Sequence, residues 1–229
     1  MNKKNYLLDL DKSKKPFIIY KSNKGFDLYT DFSKKIILDD DNIEKFINKN
    51  TKLKSIHKET DLFIGFFGYE ILNNLIDVKI KKKQTINFPK GIFYKPETKI
   101  KLSNNLDYKK TGSSNHNDLF KININKKSYK VIFDKFKKKI KSGETYQIKI
   151  CTKYTNKSEI DALDFFDRLM KTNMAPEAFI IKDKNYSIIS CSPENLITKK
   201  NNFITTKPIA GTLKKTKKLN KNKALTFFR

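Results

Sequence analysis

The sequence is poor in the residues that define several common protein classes. Its 229 residues include 2 Cys, 2 His and no Trp. Cys151 and Cys191 have neither the spacing of a metal site nor the number needed for a disulfide framework, so we expect a reducing, cytoplasmic location. No apolar run approaches the roughly 20 residues of a membrane-spanning helix, and the first residues have no signal-peptide pattern. We therefore expect no contact with membranes.

Arginine is scarce as well, although the chain is strongly basic. The formal net charge is +26, from 50 Lys+Arg against 24 Asp+Glu, and Arg occurs only at Arg168 and Arg229. The lysines are dispersed along the chain, whereas nucleic-acid-binding proteins typically gather basic residues in a patch and use Arg for bidentate contacts. Lys, Asn, Ile, Phe and Tyr, which have AT-rich codons, are abundant together. A basic nucleic-acid-binding protein is therefore the alternative interpretation and not the first.

The apolar content predicts a folded core. Hydrophobic residues make up 38% of the chain and aromatic residues 12%. Short apolar runs at 15–20 and 62–69 predict strands, and the glycines of the second run predict a close backbone approach or a bend. Residues 39–42 predict the start of a short helix, and the polar stretch 111–117 predicts a loop.

The second half of the chain has clearer periodicity. An amphipathic helix is predicted up to Gly143, a strand at 146–150, and a helix that begins within the capping-box-like residues 158–161 and has Ile160 on its apolar side. Two hairpins are predicted, within 178–191 and 195–207. The apolar face of the first helix is formed by Tyr129, Ile132, Phe133, Phe136 and Ile140. The predicted fold class is α+β, with largely antiparallel sheets and flanking helices.

Three motifs in the second half indicate a function. They are Gly-Glu-Thr-Tyr-Gln at 143–147, Ser-Pro-Glu at 192–194 and Pro-Ile-Ala-Gly-Thr at 208–212. In this order and spacing they resemble the chorismate-utilising enzymes, namely anthranilate synthase component I and aminodeoxychorismate synthase component I. Residues 62–70 also resemble the N-terminal part of that family more loosely. The resemblance extends from about residue 60 to about residue 215.

The resemblance implies a fold and a reaction. The fold would be the N-terminal portion of the family's two-sheet sandwich, with a component I-like region at 1–123 and the first part of the chorismate-binding domain at 124–229. The reaction would be amination of chorismate to anthranilate, with ammonia supplied by a separate glutamine amidotransferase subunit. Formation of 4-amino-4-deoxychorismate is the alternative product, and an inactive fragment is a further alternative.

The resemblance also implies roles for five residues. Glu194 matches the general acid that protonates the departing hydroxyl, and Ala210, Gly211 and Thr212 match substrate contacts. Gln147 stands where water-adding members have Lys, and an amide can orient ammonia, which needs no deprotonation. Without the resemblance, the same residues are interpreted as a hairpin-capping carboxylate, a glycine turn and an exposed polar strand residue.

The product stays open between the two aminating enzymes. Ala210 favours anthranilate synthase, because aminodeoxychorismate synthases often have a nucleophilic Lys at this position. Residues 173–178, Asn-Met-Ala-Pro-Glu-Ala, lack the Asn-Pro-x-Pro-Tyr-Met motif of tryptophan-regulated anthranilate synthases. Tryptophan feedback is therefore not expected.

The sequence departs from the family at its C-terminal end. The family's two Glu ligands for Mg²⁺, its catalytic His and its carboxylate-binding Arg follow the third motif, where this chain has only residues 213–229. His57 and His116 lie upstream and do not match that His, and no acidic cluster offers a replacement metal site. We expect a truncated synthase chain that is inactive alone, with Mg²⁺ as the implied cofactor but with no metal ligands of its own.

Overall fold

A computed structural model describes most of the chain. The described residues are 3–22, 25–51, 58–76, 86, 88–103, 106, 119–209, 213, 214, 216 and 219–227. They form two compact units, one made of residues 1–109 with 162–229 and the other of residues 110–161. The division into regions 1–123 and 124–229 concerns the family's sequence organisation and stays a prediction.

The first unit is built on a six-stranded antiparallel sheet, whose strands are β1 (Phe17–Ser22), β2 (Gly25–Leu38), β3 (Ile64–Phe67), β4 (Gly91–Leu102), β7 (Glu177–Lys182) and β8 (Ser187–Ser192). The strands lie in the order β3-β4-β2-β1-β7-β8. Strands β7 and β8 are the hairpin predicted within 178–191, and β7 pairs with β1 from the other end of the chain.

Helices and two short ladders complete the chain. The ladder of β5 (Lys121–Ile122) with β6 (Tyr154–Thr155) lies in the second unit, whereas β9 (Thr198–Lys200) and β10 (Phe203–Thr205) form a hairpin in the first. The helices are α1 (Lys3–Lys12), α2 (Ile43–Thr51), α3 (Leu72–Leu75) after a 3₁₀ turn (Tyr69–Ile71), α4 (Lys126–Lys141), α5 (Ala162–Asn173) and α6 (Lys221–Phe227). The α+β class with antiparallel sheets is confirmed.

The six-stranded sheet is covered on both faces, which explains why β1 is a continuous apolar run. Successive side chains of a strand point to opposite faces. Phe17 and Ile19 are fully buried in a cluster with α1 and α5, whereas Ile18 is buried on the other face with Tyr29 and Tyr94. A strand with both faces buried has no polar alternation, as the run at 15–20 indicated.

Gly65 allows β3 to approach β4. A Cβ atom at this position would lie 1.9 Å from the carbonyl oxygen of Ile92, so no side chain fits without moving the strand. The close backbone approach predicted for the run 62–69 is therefore confirmed. The predicted helix after 39–42 is also confirmed, because Ile43 is buried and Phe46 and Ile47 pack on its cluster.

The second unit corrects one prediction. Helix α4 forms as predicted and ends before Gly143, whose φ of 76° suits glycine. Residues 146–150 form no strand, and Tyr146 is 91% exposed. Alternating side chains define the faces of a strand, but a ladder also needs a partner with free backbone groups, and these residues pair with none in the described chain.

Helix α5 begins later than its N-terminal signal predicts. Its first residue is Ala162, whereas the capping-box interpretation of 158–161 requires an earlier start. The Ser158 hydroxyl donates to the side chain of Asn156 at 2.6 Å. Asn156 precedes Ser158 in the chain, so this hydroxyl donates to a residue on the side away from the first turn of α5. The predicted loop at 111–117 lies outside the described residues.

Candidate chorismate-binding site

The Ser-Pro-Glu motif forms the turn that leaves edge strand β8. Ser192 is the last residue of β8, and Pro193 lacks the N–H that a longer ladder would need. The Ser192 hydroxyl donates to the carbonyl oxygen of Glu194 at 2.9 Å and accepts the Glu194 N–H at 3.3 Å. These local bonds satisfy the backbone of an exposed turn and direct the Glu194 side chain towards solvent.

The hairpin that follows returns the chain to Glu194. Strands β9 and β10 turn at Asn201, which has a φ of 53°, and the Thr206 hydroxyl donates to the carbonyl oxygen of Leu196 at 2.8 Å. The backbone N–H of Ile209 then donates to Oε1 of Glu194 at 3.3 Å. The second and third motifs therefore meet at the Glu194 carboxylate, although 15 residues separate the two partners.

A second carboxylate lies behind the turn. Glu177, the first residue of β7, accepts a hydrogen bond from the Asn195 amide on Oε1 at 3.1 Å. Its Oε2 accepts the Tyr20 phenol of β1 at 2.5 Å. Burial and, after it, the Glu177 contact raise the pKa of Tyr20 well above its ordinary value, so the phenol stays protonated as a donor.

Gln147 lies in the second unit, just after α4. Gln147 is exposed, and its backbone carbonyl oxygen accepts a hydrogen bond from the Thr145 hydroxyl at 3.2 Å. Glu144 of the same motif pairs with Lys139, and hydrogen bonds from Lys139 and Ser142 lower the pKa of its carboxyl. The motif is thus a helix-terminating turn that leaves the Gln147 amide accessible.

The other predicted site residues are outside the described chain. Ala210, Gly211 and Thr212 follow Ile209 directly and are not described, and neither are His57 and His116. The described residues include no group of three or more His, Cys, Asp or Glu side chains that could hold a metal ion. Among them there is also no helix long and apolar enough to cross a membrane.

Comparison with known proteins decides the family. The model of the chorismate binding enzyme family matches residues 3–227, nearly the whole chain. The chain belongs to the chorismate-binding enzyme family. The resemblance carried by the three motifs is thereby confirmed, and the match also extends over the N-terminal region and helix α1.

Curated relatives of this chain have two different names. Anthranilate synthase component 1 of Saccharolobus solfataricus is 27% identical over 65% of this chain and 38% of its own length. Aminodeoxychorismate synthase component 1 of Salmonella typhimurium is 36% identical over 31% of this chain and 16% of its own length. Anthranilate synthase component 1 of Buchnera aphidicola is 25% identical over 73% of this chain and 39% of its own length. The chain thus spans about two fifths or less of these relatives.

Sequence reasoning missed the residues that support the Glu194 turn. Glu177 stands in the segment 173–178, which was notable in the sequence only because it lacks a tryptophan motif. Its partners Tyr20 and Asn195 are 157 and 18 residues away in sequence. No periodicity links them, because the contacts depend on the pairing of β7 with both β1 and β8. The one local signal is a carboxylate at the start of an otherwise apolar strand.

Proposed function

We propose that this chain binds chorismate and takes part in its amination to anthranilate. The main support is the contact between Ile209 N–H and Glu194 Oε1, which joins two of the three motifs, together with the family match over residues 3–227. In this proposal Glu194 protonates the departing ring hydroxyl, and Gln147 orients ammonia. Gly211 and Thr212 would offer backbone and hydroxyl donors to a carboxylate, and Ala210 would leave room for ammonia.

The charge distribution also supports an anionic substrate. Every charged residue that follows Glu194 in the sequence is Lys or Arg. Lys199, Lys200 and Lys207 lie exposed on the hairpin and segment that lead back to Glu194. Chorismate carries two carboxylates, and a positive potential favours its encounter with the protein.

The reaction balances without any redox partner. Chorismate and ammonia give anthranilate, pyruvate and water, whereas chorismate and ammonia give aminodeoxychorismate and water without loss of pyruvate. The second product stays the alternative, because relatives named aminodeoxychorismate synthase component 1 match this chain as well. A glutamine amidotransferase subunit would supply the ammonia, and the enzymes would function in the tryptophan or folate pathway.

The family resemblance implies Mg²⁺ as cofactor. No described cluster of ligands fits it, so the metal takes no part in the steps proposed for this chain. Cytoplasmic location likewise stays a prediction. We propose that the 229-residue chain binds chorismate but does not complete the reaction alone.

Isothermal titration of the chain with chorismate tests the proposal, and shikimate, which has one carboxylate, is the matched control ligand. We expect saturable binding of chorismate that is at least about tenfold tighter than binding of shikimate, as loss of a charge-assisted contact implies. Equal binding of the two acids, or none, contradicts the proposal.

Incubation with ¹⁵N-ammonium and Mg²⁺ tests turnover in the same preparation. Mass spectrometry distinguishes labelled anthranilate with pyruvate from labelled aminodeoxychorismate. We expect neither product from the chain alone, and either product would contradict its proposed inactivity. Where a complementing C-terminal polypeptide restores turnover, Gln147→Lys should shift the product towards water addition, and an unchanged product would contradict the role of Gln147.

A further inference from the structure

The Glu194 turn is held from behind by side chains that the three motifs do not include. Its own bonds, between Ser192 and Glu194, define the local turn, which joins the sheet on one side because Ser192 ends β8. On the other side the side-chain amide of Asn195 donates to Glu177 at 3.1 Å, and Oδ1 of Asn195 accepts the Thr198 hydroxyl at 3.0 Å. The residue directly after Glu194 is therefore a second point at which the turn is anchored.

The sheet register explains why Glu177 can reach both sides. In the antiparallel pair of β7 with β8, Glu177 lies opposite Ser192, where the turn begins. In the pair of β7 with β1, Tyr20 lies opposite Phe179, two residues from Glu177 and therefore on the same face. Diagonal neighbours of this kind lie about 7–8 Å apart, within reach of a phenol and a carboxylate.

The two bonds of Glu177 connect the turn to the interior of the first unit. Tyr20 belongs to β1, in which Ile18 and Ile19 are buried and which pairs with β2 on one side and β7 on the other. Lys21 adds a second link, because its ammonium donates to the carbonyl oxygen of Ala175 at 2.6 Å, just before Glu177. The series Tyr20, Glu177, Asn195 thus runs from a central strand to the exposed turn.

We propose that Glu177 is a positioning residue that fixes the Ser-Pro-Glu turn, and with it the Glu194 carboxylate, by accepting hydrogen bonds from Tyr20 and Asn195. Its importance for catalysis rests on the role proposed above for Glu194, but the anchoring itself does not. A general acid must be held close to the group that it protonates, and a displacement of about 1 Å can lower a rate about a hundredfold. The side-chain hydrogen bonds of Glu177 are with Tyr20 and Asn195, so it acts on Glu194 through the neighbouring residue.

NMR of the 229-residue chain gives a direct readout of the anchored carboxylate. The amide proton of Ile209 donates to Glu194, so its chemical shift reports ionisation of that carboxyl only while the bond exists. Glu194→Gln removes the charge of that carboxyl, and the change that it causes in the Ile209 amide shift is the amplitude measured in each background. Glu177→Ala removes the acceptor of the Asn195 amide, and Asn195→Asp places two carboxylates against each other. In both variants the amplitude should fall to less than half of the wild-type value.

The conservative variant and the control separate positioning from general stability. Glu177→Gln keeps an acceptor and can bond to both neighbours, so it should retain more than half of the amplitude. Glu97→Gln removes one exposed carboxylate from β4 and should leave the amplitude unchanged. An unchanged Ile209 amplitude in both Glu177→Ala and Asn195→Asp, or no such amplitude in the wild-type background, overturns the proposal. If Glu177→Ala does not fold, Asn195→Asp and Glu177→Gln decide in the same way.

Chorismate added to the same samples separates this proposal from the function proposed above. If the wild-type spectrum does not change with chorismate, the proposed function fails, whereas the Ile209 amplitude still decides the role of Glu177. If chorismate binds the wild-type chain, we expect its shift of the Glu194 amide to be at least halved in Asn195→Asp and retained in Glu97→Gln. Equal shifts in all variants would contradict a positioning role.

Discussion

At the scale of single residues, Asp183 shows how one carboxylate can join three strands. It lies in the turn between β7 and β8, where it accepts the phenol of Tyr94 from β4 and the ammonium of Lys35 from β2 at 2.6 Å. The phenols of Tyr94 and Tyr186 are 2.6 Å apart, and burial raises the pKa of Tyr186 to about 12. The hairpin turn is thus attached to distant strands by a side chain rather than by the ladder.

The same contacts give the stability a defined pH dependence. Burial alone would raise the pKa of Asp183, but hydrogen bonds from Lys35 and Tyr94 outweigh it and lower the pKa below its ordinary value. A carboxyl whose pKa is depressed by folding adds stability above its unfolded pKa of about 4, and this contribution is lost as pH falls through the folded pKa. The affected window is therefore acidic.

Asp183→Asn should lower the free energy of unfolding by about 1 to 3 kcal/mol at pH 7, because it removes hydrogen bonds to a charged group. The difference from the wild type should shrink as pH falls below about 4, where the unfolded carboxyl takes up a proton, and further as pH falls through the lower pKa of the folded protein. Urea denaturation at pH 7 and at pH 3 measures both values. Asp9→Asn, at an exposed position of α1, is the control. A difference that is the same at the two pH values would show that the charge of Asp183 is not responsible.

At the scale of elements, local signals and long-range pairing account for different parts of the fold. The sequence predicted α4 and the hairpin of β7 with β8 correctly, because periodicity and turn residues lie within each element. It could not predict that β7 pairs with β1, since Ile18 and Ile181 are far apart in sequence and both runs are simply apolar. The strand predicted at 146–150 was wrong for the same reason: its alternation carried no information about a partner.

The candidate site divides in the same way between local and long-range features. Glu194 and Gln147 could be singled out from the motifs alone, because turn residues and a Gly helix end are local. The contact of Ile209 with Glu194 depends on the hairpin of β9 and β10, which the turn at Asn201 indicated. Glu177 was missed, since its partners come from β1 and from the turn after β8. The motif residues therefore carry local signals, whereas the contacts of Glu177 depend on topology.

Helix α5 gives a direct test of core packing at this scale. Phe166 is fully buried and packs edge to face against Phe26, with 6.0 Å between the ring centroids, whereas its neighbour Phe165 is 40% exposed. Phe166→Ala should lower the free energy of unfolding by about 3 to 5 kcal/mol, and Phe166→Leu by less, because they leave cavities of different size. Phe165→Ala is the matched control and should cost about 1 kcal/mol or less. Denaturant titration compares the variants, and similar losses for Phe165→Ala and Phe166→Ala would contradict the packing described for α5.

At the scale of the whole molecule, the net charge of +26 has to be reconciled with a small anionic substrate. Several acids are already paired with lysine, for example Asp27, which lies 2.6 Å from Lys101 and 3.5 Å from Lys99. The excess of cations is almost entirely Lys; it is spread over strands and helices and includes eight of the sixteen residues of α4. Such a distribution attracts compact and extended anions alike.

The salt dependence of the binding affinity distinguishes chorismate from a nucleic acid as ligand. Chorismate has two charges, so raising NaCl from about 0.05 to about 0.5 M should weaken its binding by about threefold to tenfold, through screening. A nucleic acid whose many phosphates are neutralised by the protein would lose several orders of magnitude of affinity over the same range, because each released counterion steepens the slope.

Lys207→Gln, beside Pro208 in the third motif, should weaken chorismate binding about twofold and flatten its salt dependence. Lys45→Gln, exposed on α2, should change neither. Titrations with chorismate and with a duplex of about 20 base pairs measure both slopes. Duplex binding tighter than chorismate binding at about 0.15 M salt, with a steep slope, would instead favour the nucleic-acid alternative and contradict the proposed function.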